Sequence, residues 1–402
     1  MPSPILSRRA LARVLRSLLL AELRAARGRH GPSAAPPSVP GPWDDDLPLG
    51  QGGIGCDSLD LLSLAAAVNE MFNLHEVRTE RNLLDVSAFG GWIDAVESAW
   101  RAGVDRVTFA TSGSTGRPKR CPQTAAHLHA EVEALAARWA DRRRVVALAP
   151  AHHIYGFLFT ALLPTRLAVP CLAADDLGPE ELAAALRPGD LVVSFPERWA
   201  YLARSVPAWP AGIHGVVSTA PCPPALAEVL AERGLSRLTE VYGSSETAGI
   251  AWRDAPDEPY GLMPQWTFAE PHRGDAPALI HADGTLHPLM DRIVRNAPRS
   301  FRLDGRRDGM VQVGGVNVAP AAVAERLRRR PGVRHAVVRL MRAEEGARLK
   351  AYLVPEPGTD GATLAGAVAA WAADHLQAAE RPGTIAVGAD LRVETPGETF
   401  DW

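Results

Sequence analysis

Apolar positions recur with two different periods along this chain, and the switch between them divides it. Residues 8–27 set Leu and Ala between arginines at helical spacing. The Pro- and Gly-rich stretch GRHGPSAAPPSVPGPWDDDLPLGQGGIG follows and excludes regular structure over most of its length. Asp57-Ser58 then precede LDLLSLAAAVNEMFNL, in which Leu59, Leu62, Ala66, Val68 and Phe72 recur near the helical period. Either Asp57 or Ser58 can cap that helix. Further helical sequence covers about 80–100, so the first hundred residues predict a small helical domain with one long loop.

After Arg101 the pattern shortens. VTFA is a β-like run ending in a Gly/Ser/Thr-rich loop at 111–116, followed by helical sequence from about 123 to 139. VVALA at 145–149, then LAVPC, LVVSF, HGVVST and LTEVYG, read as strands, with helical stretches between several of them. This alternation predicts an α/β fold. Residues 301–314 read as two short strands with a turn, 320–330 as a helix, RHAVVRL and RLKAYLV as strands, and 361–379 as an Ala-rich helix. The expected division is therefore a helical domain over 1–100, an α/β core over 101–304 and a small α+β domain over 305–402.

Composition narrows the function. With 47% hydrophobic and 22% charged residues the chain has the make-up of a folded protein. Its 43 basic and 46 acidic residues leave a net charge of -3, which offers no basic groove and no nucleic-acid partner. Cys56, Cys121, Cys171 and Cys222 have neither zinc-ribbon nor disulfide-scaffold spacing, so reduced thiols in a cytoplasmic protein are expected. No membrane span is expected: the apolar run after Arg16 contains Glu22, and the stretch Phe157 to Ala174 is broken by Arg166 and two prolines. Only two lysines occur, Lys119 and Lys350, so a reaction that needs a lysine has few candidates.

The stretch TSGSTGRPKR, Thr111 to Arg120, concentrates candidate chemistry. Gly113 and Gly116 let the backbone turn tightly and approach a ligand. Thr111, Ser112, Ser114 and Thr115 offer hydroxyl donors, successive N–H groups can form an anion nest, and Lys119 adds a mobile positive charge. It is not the GxxxxGK[ST] loop, and on these properties alone a flexible surface turn stays open beside a phosphate site.

The stretch TSGSTGRPK closely resembles the signature loop of adenylate-forming enzymes, the acyl-CoA synthetase and nonribosomal-peptide adenylation superfamily, where it holds the β- and γ-phosphates of ATP. Further motifs agree in order. Pro150-Ala151-His152-His153-Ile154-Tyr155-Gly156 is similar to the segment beside the acyl pocket, and the resemblance gives His153 a place at the carboxylate site. Val241-Tyr242-Gly243-Ser244-Ser245-Glu246-Thr247 resembles the YGSSE[TS] motif. The resemblance implies that Tyr242 stacks near adenine, Thr247 contacts phosphate and Glu246 coordinates Mg²⁺. Asp291, 15 residues before Arg306, matches the spacing of the ribose-binding Asp and Arg. Gly305-Arg306-Arg307-Asp308 and Gly315-Val316-Asn317-Val318-Ala319-Pro320 resemble the hinge and the start of a C-terminal domain that rotates between half-reactions, with Gln312 where a lysine is usual.

Three departures stand out. The phosphate loop begins at residue 111, earlier than in typical members. Gly55-Cys56-Asp57-Ser58-Leu59 and the helix after it resemble an acyl carrier protein, which implies a phosphopantetheine arm on Ser58; a helix cap in a reduced N-terminal subdomain is the other reading. At the C-terminal end Glu398 takes the place of the catalytic lysine, where it would repel the carboxylate and the α-phosphate, leaving Arg392 as a substitute cation. The resemblance implies ATP- and Mg²⁺-dependent activation of a carboxylic acid as acyl-AMP, then transfer to a phosphopantetheine thiol of CoA or an acyl carrier protein. The apolar pocket segments, with His153, Tyr155, Phe157 and Trp252, point to an aromatic acid, hydroxybenzoate-like as a first expectation. The alternative is a non-catalytic or half-catalytic homologue that binds nucleotide or docks a carrier protein.

Overall fold

Three helices open the chain in this computed structural model, which describes residues 5–28, 43–77, 82–111, 119–270, 277–307, 309–314, 316–342 and 345–388. They are α1 (Arg8–Gly28), α2 (Ser58–Phe72) and α3 (Phe89–Arg101). Asp57 caps α2: its carboxylate accepts from Asp60 N at 2.8 Å and the Asp60 side chain accepts from Asp57 N in return. Arg8 of α1 joins Asp45, Asp94 and Glu97, tying α1 to the loop before α2 and to α3.

The strands then follow. A separate antiparallel hairpin is made of β1 (Arg106–Thr111) and β2 (Lys119–Thr124), with Thr111 opposite Lys119. Helix α4 (Ala125–Arg138) starts directly after it, capped by the Thr124 hydroxyl. Next come β3 (Arg144–Ala147), β4 (Cys171–Ala173), β5 (Asp190–Ser194), β6 (His214–Val217), β7 (Arg237–Ser244), β8 (Ala248–Arg253) and β9 (Tyr260–Leu262). A small sheet of β10 (Trp266–Phe268), β11 (Ala278–His281) and β12 (Leu286–Pro288) precedes the hairpin β13 (Asp291–Ala297) and β14 (Ser300–Arg306). Nine strands form one sheet in the order β13-β14-β9-β8-β7-β6-β5-β3-β4. From β4 to β7 neighbours are parallel, and from β7 to β13 they are antiparallel. Every residue of β5 is buried, as its continuous apolar run requires of an interior parallel strand.

The first hundred residues pack against the rest of the chain. Apolar side chains from Ile5 to Trp100 belong to the same continuous core as Phe109, Leu128, Phe157, Val193, Ile250 and Phe301. Helix α1 also reaches the 152–160 segment through polar contacts: Ser17 Oγ lies 2.8 Å from His152 Nδ1, and Arg13 donates to the Thr160 carbonyl. A distinct carrier-like module over 1–100 is therefore not evident, because its helices share one continuous apolar core with the α/β region. The expected face of α2 also shifts. Leu64, Ala65, Val68, Met71 and Phe72 are buried, whereas Leu59 and Leu62 are 75% and 55% exposed and Ala66 faces solvent.

Residues beyond the β13–β14 hairpin hold their own core, from Val313 to Leu376. It joins the helix Pro320–Arg328, the strands Val333–Leu340, Leu349–Pro355 and Pro382–Val387, and the helix Gly361–His375. This is the α+β subdomain that the pattern predicts. Among the described residues no helix is long and apolar enough to cross a membrane.

Candidate active site

The place where the sheet changes from parallel to antiparallel is also where Lys119, Tyr242, Glu246, Thr247, Asp291 and Arg306 lie, six of the singled-out residues among the described ones. Ligands of open α/β sheets bind beyond the carboxyl ends of the parallel strands, and β7 is the last of them. Its end turns sharply into β8. A Cβ on Gly243 would lie 2.1 Å from the Ala248 carbonyl oxygen, so glycine is required there. Ser244 and Thr247 hold the turn: their hydroxyls are 3.0 Å apart, and each side-chain oxygen accepts from the other residue's N–H at 3.2 Å. Thr247, expected at phosphate, is buried, and its hydroxyl is engaged inside this turn and with the Ala248 carbonyl.

At the tip of the turn Glu246 Oε1 lies 2.6 Å from Lys119 Nζ, with the two side chains 45% and 61% exposed. Burial pushes the Glu246 carboxyl up, but its hydrogen bonds to Lys119 and the backbone more than offset that and leave it below the ordinary value. The same bond raises the Lys119 ammonium. Both groups are thus held charged, an anion that suits a hard cation such as Mg²⁺ beside a cation that suits phosphate. Gln123 of β2, which sequence reasoning passed over, fixes this arrangement. Its buried amide donates to the carbonyls of Ser245 at 2.8 Å and Glu246 at 3.0 Å, joining the β1–β2 hairpin to the motif turn.

The second constellation is Tyr242, Asp291 and Arg306. Tyr242 donates its phenol to Asp291 Oδ2 at 2.5 Å, and Arg306 lies opposite Asp291 in the β13–β14 register with its guanidinium 3.9 Å from the other carboxylate oxygen. Burial and then the Asp291 carboxylate push the Tyr242 phenol well up, so it stays a donor. The Tyr242 ring packs against Tyr260 and Phe301, with centroids 5.6 Å from each. Across the cleft, Thr219 takes a left-handed backbone at φ 81°, Ser218 bonds the Val241 carbonyl, and Gln312 of the C-terminal subdomain donates to the Thr219 carbonyl at 2.9 Å. Gln312, standing where the resemblance puts a lysine, therefore touches the 218–221 segment.

His153 is exposed at the start of the helix Ile154–Gly156, its ring 4.3 Å from that of His152. Tyr155 and Phe157 are core residues. The Tyr155 hydroxyl donates to the Ser194 and Val216 carbonyls, while Phe157 stacks edge-on against Phe109. Trp252 lies in β8 beside Trp139, with Arg138 over its ring. Ser58 is exposed in the first turn of α2. The side chain of Thr111, residues Ser112, Gly113, Ser114, Thr115 and Gly116, and Asp308, Arg392 and Glu398 lie outside the described residues.

The chain is similar to several known proteins. The family described as "AMP-binding enzyme" matches residues 107–269. The chain is 39% identical over 386 residues to a 4-coumarate–CoA ligase of Halorhodospira halophila, covering 94% of this chain and 95% of that one. It is 37% identical over 403 residues to a 4-coumarate–CoA ligase of Rhodobacter capsulatus, covering 97% and 99%. Among solved structures, an o-succinylbenzoate CoA synthetase of Bacillus subtilis matches with a TM-score of 0.56 and 18% identity, covering 71% of this chain and 66% of that one. The amide bond synthetase of Marinactinospora thermotolerans matches with a TM-score of 0.54 and 20% identity, covering 72% and 66%. The two structures share the fold.

Proposed function

Because the chain belongs to the AMP-binding, adenylate-forming enzyme family and is an AMP-forming carboxylate–thiol ligase, we propose that its acid is 4-coumarate and its acceptor the thiol of CoA. The observation that carries this choice is the match to ligases of that name across nearly the whole of both chains. A hydroxycinnamate keeps the aromatic, hydroxylated acid expected from the sequence and replaces the hydroxybenzoate first expected.

The reaction has two steps. A carboxylate oxygen attacks the α-phosphorus of ATP, the bond to the bridging oxygen breaks, and pyrophosphate leaves. The thiolate then attacks the acyl carbonyl, and AMP leaves. Catalysis of both steps is chiefly positioning and electrostatic stabilisation. In this proposal Lys119 and the loop 111–116 bind the β- and γ-phosphates. Glu246 holds Mg²⁺, which would offset charge on the phosphoryl oxygens. Asp291 and Arg306 hold the ribose, Tyr242 flanks adenine, and His153 borders the acid. Thr247 serves by shaping the turn. Residues 101–304 carry these groups except Arg306, which stands at the start of the segment 305–402 that rotates between the two steps, and 1–100 buttress the acyl side through Ser17 and His152. Glu398 slows the first step in this scheme, and a supplied acyl-AMP bypasses it.

A second reading concerns the acceptor. Ser58, Leu59 and Leu62 form an exposed polar–apolar patch at a capped helix start, which supports a phosphopantetheine arm on Ser58 and a carrier-type thiol in place of free CoA. One experiment separates the readings: pyrophosphate release over 4-coumarate, benzoates, fatty acids and amino acids, with CoA, with a holo-carrier protein, and with neither after phosphopantetheinyl transferase treatment. The proposal expects 4-coumarate with CoA to give the fastest turnover. Equal rates across the acids, or no release with any acid in protein that binds ATP, defeats it. Turnover without CoA that Ser58→Ala abolishes favours the second reading.

A further inference from the structure

Behind the motif turn, three histidines and an aspartate converge from elements far apart in sequence. His127 belongs to α4, His281 ends β11, His287 lies in β12 and Asp283 lies in the turn between those strands. The His127 and His281 rings stack with centroids 4.1 Å apart, and His287 lies edge-on to His127 at 6.2 Å. Trp266 walls the group, 4.9 Å from His281 and 5.1 Å from His287. His127 and His281 retain only 8% and 4% of their exposure, yet the Nε2 atoms of His127, His281 and His287 are buried with no hydrogen-bond partner. A buried polar atom without a partner costs free energy, and three in one place require an account.

The other side of the His281 ring is engaged. His281 Nδ1 lies 3.1 Å from Asp283 Oδ2, and the second Asp283 oxygen accepts from Thr285 N at 2.8 Å. The Thr247 backbone lies close enough to His127 to act on its ring. The His281–Asp283 pair presents an imidazole nitrogen and a carboxylate oxygen side by side, two donor types that a transition metal takes together. Donor atoms of His127, His281 and Asp283 come within 4.8 Å of one another. A tetrahedral zinc ion separates its donors by about 3.4 Å, a closure within reach of small side-chain rotations. Imidazoles with one carboxylate suit a transition metal such as zinc rather than Mg²⁺.

We infer that His127, His281 and Asp283, with His287 in reach as a fourth ligand, form a binding site for a divalent transition-metal ion, distinct from the Mg²⁺ position at Glu246. The ion pins the small sheet β10–β12 to α4 and bears on the motif turn through the His127 contact to Thr247. The inference does not depend on the choice of acid or acceptor.

Its test uses the full-length protein stripped with a chelator and titrated with Zn²⁺ by calorimetry and with Co²⁺ by visible absorption, without nucleotide. One ion per chain and a tetrahedral Co²⁺ spectrum are expected. His281→Gln and the exposed-site change Asp283→Asn should each weaken binding at least tenfold, with unaltered circular dichroism. Glu246→Gln and His153→Ala should bind as the unaltered protein does. Absence of saturable binding in the unaltered protein, or binding that survives both His281→Gln and Asp283→Asn, overturns the site.

Discussion

The tip of the β7–β8 hairpin and its packed flank treat charge in opposite ways. At the tip, Glu246 and Lys119 are half exposed, 2.6 Å apart, and each holds the other ionised. On the flank, Glu131 of α4 is fully buried, accepts from Gly249 N at 2.9 Å with one oxygen and has no partner for the other. Burial pushes its carboxyl up to about 8, so near neutrality it is largely protonated. His127, one turn away, is pushed down to about 4 by burial and then by its histidine neighbours, and is neutral as well. The tip keeps mobile charge available for a polyphosphate, while the flank supplies a rigid, uncharged support.

Breaking the tip should have the largest effect. Under the proposed function Lys119→Ala and Glu246→Ala each remove a charged contact to a polyphosphate complex, worth roughly 1.5–3 kcal/mol. Pyrophosphate release should fall by about 10–100-fold in kcat/KM for each. Stability should barely move, because an exposed pair contributes about 0–1 kcal/mol. A large loss of melting temperature with unchanged kinetics would exchange the roles of tip and flank.

Breaking the flank should do the reverse. A Cβ on Gly249 would lie 2.3 Å from Glu131 Oε1 and 2.8 Å from Met263 Cε, both inside the packed region. Gly249→Ala should destabilise the fold by about 1–3 kcal/mol, read from urea midpoints. Lys119→Ala under the same denaturant should leave the midpoint almost unchanged.

This contrast also explains what was legible in the sequence. Tyr242, Glu246 and Thr247 sit within one contiguous motif, and Asp291 and Arg306 keep a fixed spacing because they face each other across one hairpin. Alternating strands and helices from 106 onward were likewise visible, because interior parallel strands are continuous apolar runs. The flank was not legible. Glu131, Gly249, Trp266 and His281 come from four elements, and only packing brings them together. Gln123 falls at the predicted start of a helix and instead lies near the end of the strand β2; its role depends on two backbone carbonyls that no side-chain pattern reports. Leu59 and Leu62 misled for the opposite reason, since helical period identifies an apolar face but not whether anything covers it.

The pH dependence of stability sharpens the comparison. A carboxyl raised to about 8 in the folded state binds its proton more tightly than in the unfolded chain, where its ordinary value is 4.5. Stability from this group is therefore full below the unfolded value and is lost as pH climbs toward 8, by at most about 1.4 kcal/mol per pH unit. Glu131→Gln keeps the shape and removes the titration. The difference in unfolding free energy, variant minus unaltered protein, should rise steadily between pH 6 and 8. A flat difference would mean that Glu131 is not buried neutral.

The smallest effect is expected at Tyr242, where tip and flank meet. Its ring is packed against Tyr260 and Phe301, so Tyr242→Phe leaves the local core and the proposed aromatic contact with adenine in place. What disappears is the phenol's hydrogen bond to Asp291 Oδ2. That bond occupies one carboxylate oxygen and fixes the other toward Arg306, which under the proposed function orients Asp291 to accept ribose hydroxyls. Its removal leaves Arg306 in register, so only the orientation is loosened, at about 0.5–1.5 kcal/mol. KM for ATP should rise by several-fold with kcat nearly constant, since ribose is held alike in the ground and transition states. A fall in kcat of the size expected for Glu246→Ala would instead place the phenol among the groups that contact the reacting phosphate.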